Sequence, residues 1–299
     1  MCKQETTGIP RRIFLFWEGP RPPFVDWCIQ RIRTLHGSWS VHLFTEVEEW
    51  VEGLDALQQV QWKSDWVRMC ALQDGGVWLD ASCICTQPVD RWVDMAADAV
   101  QGFSAPFASD SLENWAFAAP PSHPLLIRWK HLFQEAIEMG FDAFKAKAPP
   151  HVRTHAIYDW LPYLTMHACY LIAAEEMGVR ARMTPASDGP YRYLCDHGWD
   201  SPRAVEALMH APLDHPPPPL IKLRGSERSW IASLECRRGS LMHRLGMKAG
   251  SGATEGVDAP THARAVAPGS GGWWLPTMVL TLALVVLGIV VLSIRRHRT

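Results

Sequence analysis

Residues 64–82 read Ser-Asp-Trp-Val-Arg-Met-Cys-Ala-Leu-Gln-Asp-Gly-Gly-Val-Trp-Leu-Asp-Ala-Ser, and no other stretch constrains the fold as tightly. Ser64 is a candidate N-cap for a helix, with Val67, Cys70 and Ala71 as its buried stripe. Gly75 and Gly76 end that helix, because glycine accepts the left-handed conformation of a C-terminal turn. Val77, Trp78 and Leu79 then form a short buried strand that delivers Asp80 at its end. A helix over residues 65–73 rises about 13 Å. A strand over residues 76–80 runs back about 13–16 Å. If the turn reverses the chain, Asp80 returns beside Asp65 and Arg68, which stand three apart on one helix face. Two carboxylates and a guanidinium at the carboxyl end of a strand suit a hydroxyl-rich, phosphate-bearing ligand. The carboxylates would grip ribose hydroxyls or a divalent cation, and arginine would offer a fork to oxygen atoms.

The flanking sequence supplies the sheet around this unit. Residues 12–17 read as a buried strand, followed by a Pro/Gly-rich loop and by Val25, Cys28, Ile32 and Leu35 at helical spacing. Residues 40–45 read as a second strand, with another helical stretch starting near Glu46. Strand–helix–strand order at this spacing predicts a parallel α/β sheet, in which ligands bind beyond the carboxyl ends of the strands. Residues 99–103 and 115–118 are further strands, Pro124–Met139 and residues 160–177 are helices, and residues 179–183 alternate like a strand. The prolines at 216–219 must run extended, since proline cannot donate to a helix or ladder.

Ser-Asp-x-x-Arg followed by Gly-Gly-Val-Trp-Leu-Asp-Ala-Ser resembles the DXD sugar-binding region of family 32 glycosyltransferases, and more closely that of the capsular polysaccharide synthesis proteins. Ile9 to Trp17 is similar to their opening strand, Glu113-Asn114-Trp115 to their Asn-Trp element, residues 161–167 to their Tyr-Leu-x-x-His element, and Ile221-Lys222-Leu223 to their closing Lys-Leu. The resemblance implies a GT-A-type, Rossmann-like domain with a mixed, mainly parallel sheet. It implies transfer of a sugar from a UDP- or GDP-sugar to a glycan or lipid-linked acceptor, metal-assisted and with retention. Asp65 would hold the nucleoside. Asp80 would contact the sugar–ribose region and the Mn²⁺ or Mg²⁺ that stabilises the departing diphosphate.

Around that core the candidate donor-binding residues are Trp17, Asp65, Arg68, Asp80, Ser82, Asn114, Trp115 and Lys222. The catalytic candidates are Asp80, Asn114 and His167, and the metal ligands Asp80, Ser82 and His167. Trp17 would stack on the base, though core packing is its alternative. Lys222 would neutralise diphosphate. Ser82 stands where the fullest family pattern has a second acidic residue. Its uncharged hydroxyl would weaken a metal site, so a catalytically inactive sugar- or nucleotide-binding module is the alternative reading.

Elsewhere the sequence excludes more than it assigns. A formal net charge of −2 offers no basic field for nucleic acid. The 8 cysteines are scattered, mostly within apolar runs, and read as buried free thiols. Residues 1–247 form the glycosyltransferase-like domain, residues 248–272 a Gly/Ala/Ser/Pro linker, and residues 295–299 a basic tail. Between them, residues 273–294 carry no charge, and 22 residues of helix span about 33 Å, a membrane thickness. With no earlier apolar segment, a single-pass tail anchor with a cytosolic domain is the expectation. The Arg-rich end argues for the luminal orientation, which stays open.

Overall fold

The computed structural model describes residues 8–49, 51–56, 59–212 and 215–248. The strands are Arg12–Phe16 (β1), Ser40–Phe44 (β2), Gly76–Leu79 (β3), Ile84–Cys85 (β4), Gln101–Ala105 (β5), Ala108–Ala119 (β6), Arg182–Pro185 (β7) and Leu220–Ile221 (β8). The helices are Pro23–Leu35 (α1), Val60–Ala71 (α2), Pro124–Met139 (α3), Phe141–Ala146 (α4), Pro150–Arg153 (α5), Thr165–Met177 (α6), Arg192–Asp196 (α7), Ser201–His210 (α8), Gly225–Ser233 (α9) and Leu241–Arg244 (α10).

Six strands form one sheet in the order β2-β1-β3-β6-β5-β7. β1 is parallel to β2 and β3, and β5 is parallel to β7, whereas β6 runs antiparallel to both its neighbours. The sheet is therefore mixed and mainly parallel, as expected. β4 and β8 pair separately, antiparallel.

Alternation along the central strands builds a core on each face. Ile13, Leu15, Val77 and Leu79 point to the face covered by α1, α8 and α9. Phe16 and Trp78 point to the other, where α2, α3 and α6 pack. Both faces are closed, which is why these strands read as continuous apolar runs. Burying a large apolar side chain contributes about 1.5–3 kcal/mol, so these two layers hold the sheet rigid beneath its loops.

The turn after α2 forms as the glycines require. A 3-10 turn at Leu72–Asp74 extends the helix, and Gly75 follows with φ 73° and Gly76 with φ 139°. A Cβ on Gly75 would lie 2.6 Å from the Pro121 nitrogen, so both conformation and space exclude any side chain.

Several sequence expectations are corrected. Among the described residues no α-helix starts near Glu46; they hold a 3-10 turn at Leu54–Ala56, and Gly53 at φ 85° passes close to the Ile137 carbonyl. Helix α2 begins at Val60, so Ser64 is inside the helix and not its N-cap. Its buried run is Asp65 to Met69, with Cys70 and Ala71 half-buried. β6 extends seven residues further towards the N-terminus than residues 115–118 suggested, because its polar residues hid the strand. α6 starts at Thr165, since Pro162 disfavours helical backbone before it and lacks a donor. Two edges shift by a few residues, with β5 at Gln101–Ala105 and β7 at Arg182–Pro185.

The seven cysteines among the described residues are free thiols, buried or half-buried. Among the described residues no helix is long and apolar enough to cross a membrane. The expected linker, from 249 onward, the membrane helix at 273–294 and the basic tail lie outside the described residues.

Candidate functional site

The carboxyl ends of β1 and β3 open into a cavity of about 500 Å³. Trp17, Asp65, Arg68, Asp80, Ser82, Asn114, Trp115, His167 and Lys222 all line it. The geometry thus brings every candidate residue from the sequence to one place. β1 brings Trp17 just past its end, β3 brings Asp80, and α2 brings Asp65 and Arg68 back over them. Because β6 is antiparallel, its early residues Glu113 to Trp115 arrive at the same edge; the Asp80 N–H donates to the Trp115 carbonyl at 2.8 Å.

At the centre is a buried ionic cluster. Arg68 donates from Nη1 to Asp65 Oδ1 and from Nη2 to Asp80 Oδ1, the latter at 3.1 Å. Ser64 Oγ also accepts from Arg68 Nη2 at 3.3 Å. Lys222 Nζ donates to Asp80 Oδ2 at 2.5 Å, and Asn114 Nδ2 to Asp65 Oδ1 at 3.0 Å. The Arg68 guanidinium lies over the Trp78 ring at 4.9 Å and the Lys222 ammonium over the Trp115 ring at 5.4 Å. Asp65, Arg68 and Lys222 are only 6%, 3% and 7% exposed. Desolvating such charges costs about as much as their pairing returns, so fold stability does not account for the cluster.

The two carboxyls diverge in acidity. Burial raises Asp65 to about 6, with Arg68 and His167 opposing that rise. Burial also works to raise Asp80, but Lys222 and Arg68 outweigh it and hold its carboxyl below the usual value. Asp80 is therefore the settled anion of the pair, while Asp65 titrates near neutrality.

His167 sits in the buried stretch of α6 with Nε2 3.8 Å from Glu113 Oε2. Glu113 in turn accepts from Trp115 Nε1 at 2.8 Å. The Nδ1 of His167 and the Nε of Arg68 are buried without a hydrogen-bond partner among the described residues. Trp17 is half-buried, donates from Nε1 to the Pro20 carbonyl at 3.1 Å and packs against the α1 face. Ser82 Oγ accepts from Arg228 Nη1 at 3.2 Å.

The expected metal set does not fit this arrangement. Both Asp80 oxygens face cationic side chains, Ser82 faces a third, and His167 has Glu113 as its charged neighbour. Among the described residues no three His, Cys, Asp or Glu side chains are grouped to hold a metal ion.

Glu113, Tyr163, Arg224 and Arg228 also line the cavity; the first two stand in the family-like elements but were given no role, and the last two were passed over. Glu113 was signalled by its place beside Asn114. Arg228 carried no local signal, because its contact with Ser82 spans 146 positions.

Residues 2–139 match the model of the family described as capsular polysaccharide synthesis protein, just under half of the chain. The match includes residues 64–82 and the Asn114-Trp115 pair and stops before His167 and Lys222. It bears out the resemblance read from those motifs. No curated protein matches the chain. Among the solved structures similar to the chain over part of its length are two glycosyltransferases. One is the PaToxG glycosyltransferase, 15% identical, covering 60% of this chain and 83% of that one, with a TM-score of 0.34. The other is a glycosyltransferase involved in glycosylation of the major capsid of PBCV-1, 12% identical, covering 58% and 81%, with a TM-score of 0.38.

Proposed function

We propose that this cavity binds a nucleotide-sugar, a UDP- or GDP-sugar, and transfers its sugar to a hydroxyl of a glycan or lipid-linked acceptor. The observation that carries the reading is the convergence of Asp65, Arg68, Asp80, Asn114 and Lys222 at the carboxyl ends of β1 and β3. Carboxylates there accept from ribose and sugar hydroxyls, and cations take phosphate oxygens. Asp65 and Asn114 hold the nucleoside side, and Trp17 offers an aromatic face to the base. Asp80 orients the sugar, and Lys222 meets the charge that grows on the leaving diphosphate. His167, paired with Glu113, stands as the group that moves a proton at the acceptor hydroxyl. In this reading the domain is of the GT-A type, transfer proceeds with retention, and residues 273–294 tether it to a membrane with the domain on the cytosolic side.

The test is transfer of labelled sugar from a donor panel to glycan and lipid-linked acceptors, with the full chain and its Asp80→Ala variant. The expected result is transfer by the wild type and a loss of at least about a hundredfold in the variant. Equal turnover by both contradicts the proposal. Ser82, a hydroxyl already engaged by Arg228, favours one competing reading: a module that binds nucleotide-sugar without turning it over. Tight donor binding alongside no transfer to any acceptor, and no hydrolysis, selects that reading.

A further inference from the structure

We propose that the site neutralises the donor's diphosphate with side-chain cations, Lys222 and Arg228, in place of a divalent metal ion. The inference rests on the nucleotide-sugar reading above and concerns how that same cavity balances charge. A metal-dependent site presents free carboxylate oxygens to the cation. Here Lys222 Nζ is 2.5 Å from one Asp80 oxygen and Arg68 Nη2 3.1 Å from the other. At residue 82 the second ligand is a neutral hydroxyl, and a guanidinium, Arg228 Nη1, lies 3.2 Å from it. A divalent cation entering there would have to displace an ammonium and would sit beside a guanidinium, with like charges at short range.

The charge balance of the wall points the same way. Asp65 and Asp80 are offset by Arg68 and Lys222. Glu18 is paired with Lys63, and Arg224 with the fully buried Glu227. Glu113 has His167 beside it. Among the described residues Arg228 has no carboxylate partner; its neighbours are Ser82 Oγ and the Leu223 carbonyl at 3.4 Å. Of the Lys and Arg side chains lining the cavity it is therefore the one without a carboxylate partner. It lies six positions after Lys222, so one segment carries both charges. Neutral partners hold Arg228 in place without cancelling its charge, which leaves its guanidinium fork available to phosphate oxygens.

Calorimetric titration of the full chain with UDP, GDP, ADP and dTDP, each in excess EDTA and in excess Mn²⁺, tests this. The proposal expects at least one of them to bind with affinities that agree within about twofold between the two conditions. It expects Arg228→Ala to weaken that binding by about tenfold or more in EDTA, the size of a lost charge-assisted hydrogen bond. Arg228→Lys should retain part of the affinity, and binding of the matching free nucleoside, which has no phosphate, should be unchanged in both variants. The nucleoside arm also reports whether each variant is folded. Binding that requires Mn²⁺ overturns this proposal and leaves the nucleotide-sugar reading standing. Metal-independent binding that Arg228→Ala leaves intact overturns the role of Arg228. Absence of binding by all four in both conditions overturns the nucleotide-sugar reading itself, and this one with it.

Discussion

Arg68 Nη2 donates to Asp80 Oδ1 across 3.1 Å, joining the last turn of α2 to the residue just past β3. That bond ties the helix, the Gly75-Gly76 turn and the strand into one rigid loop. It also fixes where both carboxylates of the cavity point, because the same guanidinium holds Asp65.

Removing the guanidinium leaves the buried Asp65 carboxylate without its cationic partner and Asp80 with Lys222 alone. Arg68→Met should therefore cost about 3–5 kcal/mol of stability, the penalty for stranding a buried charge. Urea denaturation of wild type and variant measures it. A loss below about 1 kcal/mol would mean that the cluster is hydrated and loosely held.

The turn is as constrained as the charges. Gly75 has φ 73°, and an added Cβ would lie 2.6 Å from the Pro121 nitrogen and 2.8 Å from Pro10 Cδ. Gly75→Ala should lose more than about 2 kcal/mol, through backbone strain together with the clash. It should also reduce donor binding, because Asp80 is set by this turn. Melting temperature and donor affinity, measured on the same preparation, check both.

The acidity of Asp65 gives a pH signature. Its folded value of about 6 lies above the unfolded 3.8, so between them the folded chain binds more protons. Stability contributed through Asp65 therefore falls as pH rises from about 4 to about 6, and the cost persists above that. Asp80 acts with the opposite sign. Its carboxyl is held below 3.8, so the stability it contributes is present above that value and is lost as pH falls. Melting curves between about pH 4 and 7 should show a flatter or more positive slope for Asp65→Asn than for wild type. Parallel slopes would contradict the raised pKa of Asp65.

His167 separates chemistry from binding. Its Nε2 lies 3.8 Å from Glu113 Oε2. His167→Gln should lower kcat by at least about tenfold while changing nucleoside diphosphate affinity by less than about twofold. Steady-state kinetics paired with calorimetry distinguishes this from a structural role, which would move both.

Much of this site was legible from residues 64–82, because matched helix and strand lengths bring Asp65, Arg68 and Asp80 together whatever the surrounding fold. The apolar runs of β1 and β3, the amphipathic period of α3 and the glycines at 75 and 76 were equally readable. Polar side chains at 109–111 and 113–114 broke the apolar pattern of β6, so its first half was not. The start of α2 was missed because Gln59 makes no side-chain cap, while Ser64 imitates one and instead accepts from Arg68. The arrangement of cations at Asp80 and Ser82 was unreadable for a different reason. Lys222 lies 142 positions from Asp80 and Arg228 lies 146 from Ser82, and the pairing of β4 with β8 helps bring that segment home.

The most direct measurement is release of nucleoside diphosphate from a panel of UDP- and GDP-sugars by the full chain, with and without acceptor glycans, alongside Asp80→Ala. The account predicts release from at least one donor by the wild type and a fall of at least about a hundredfold in the variant. Release that is equal in the two proteins, or absent for every donor with no donor bound, would contradict it.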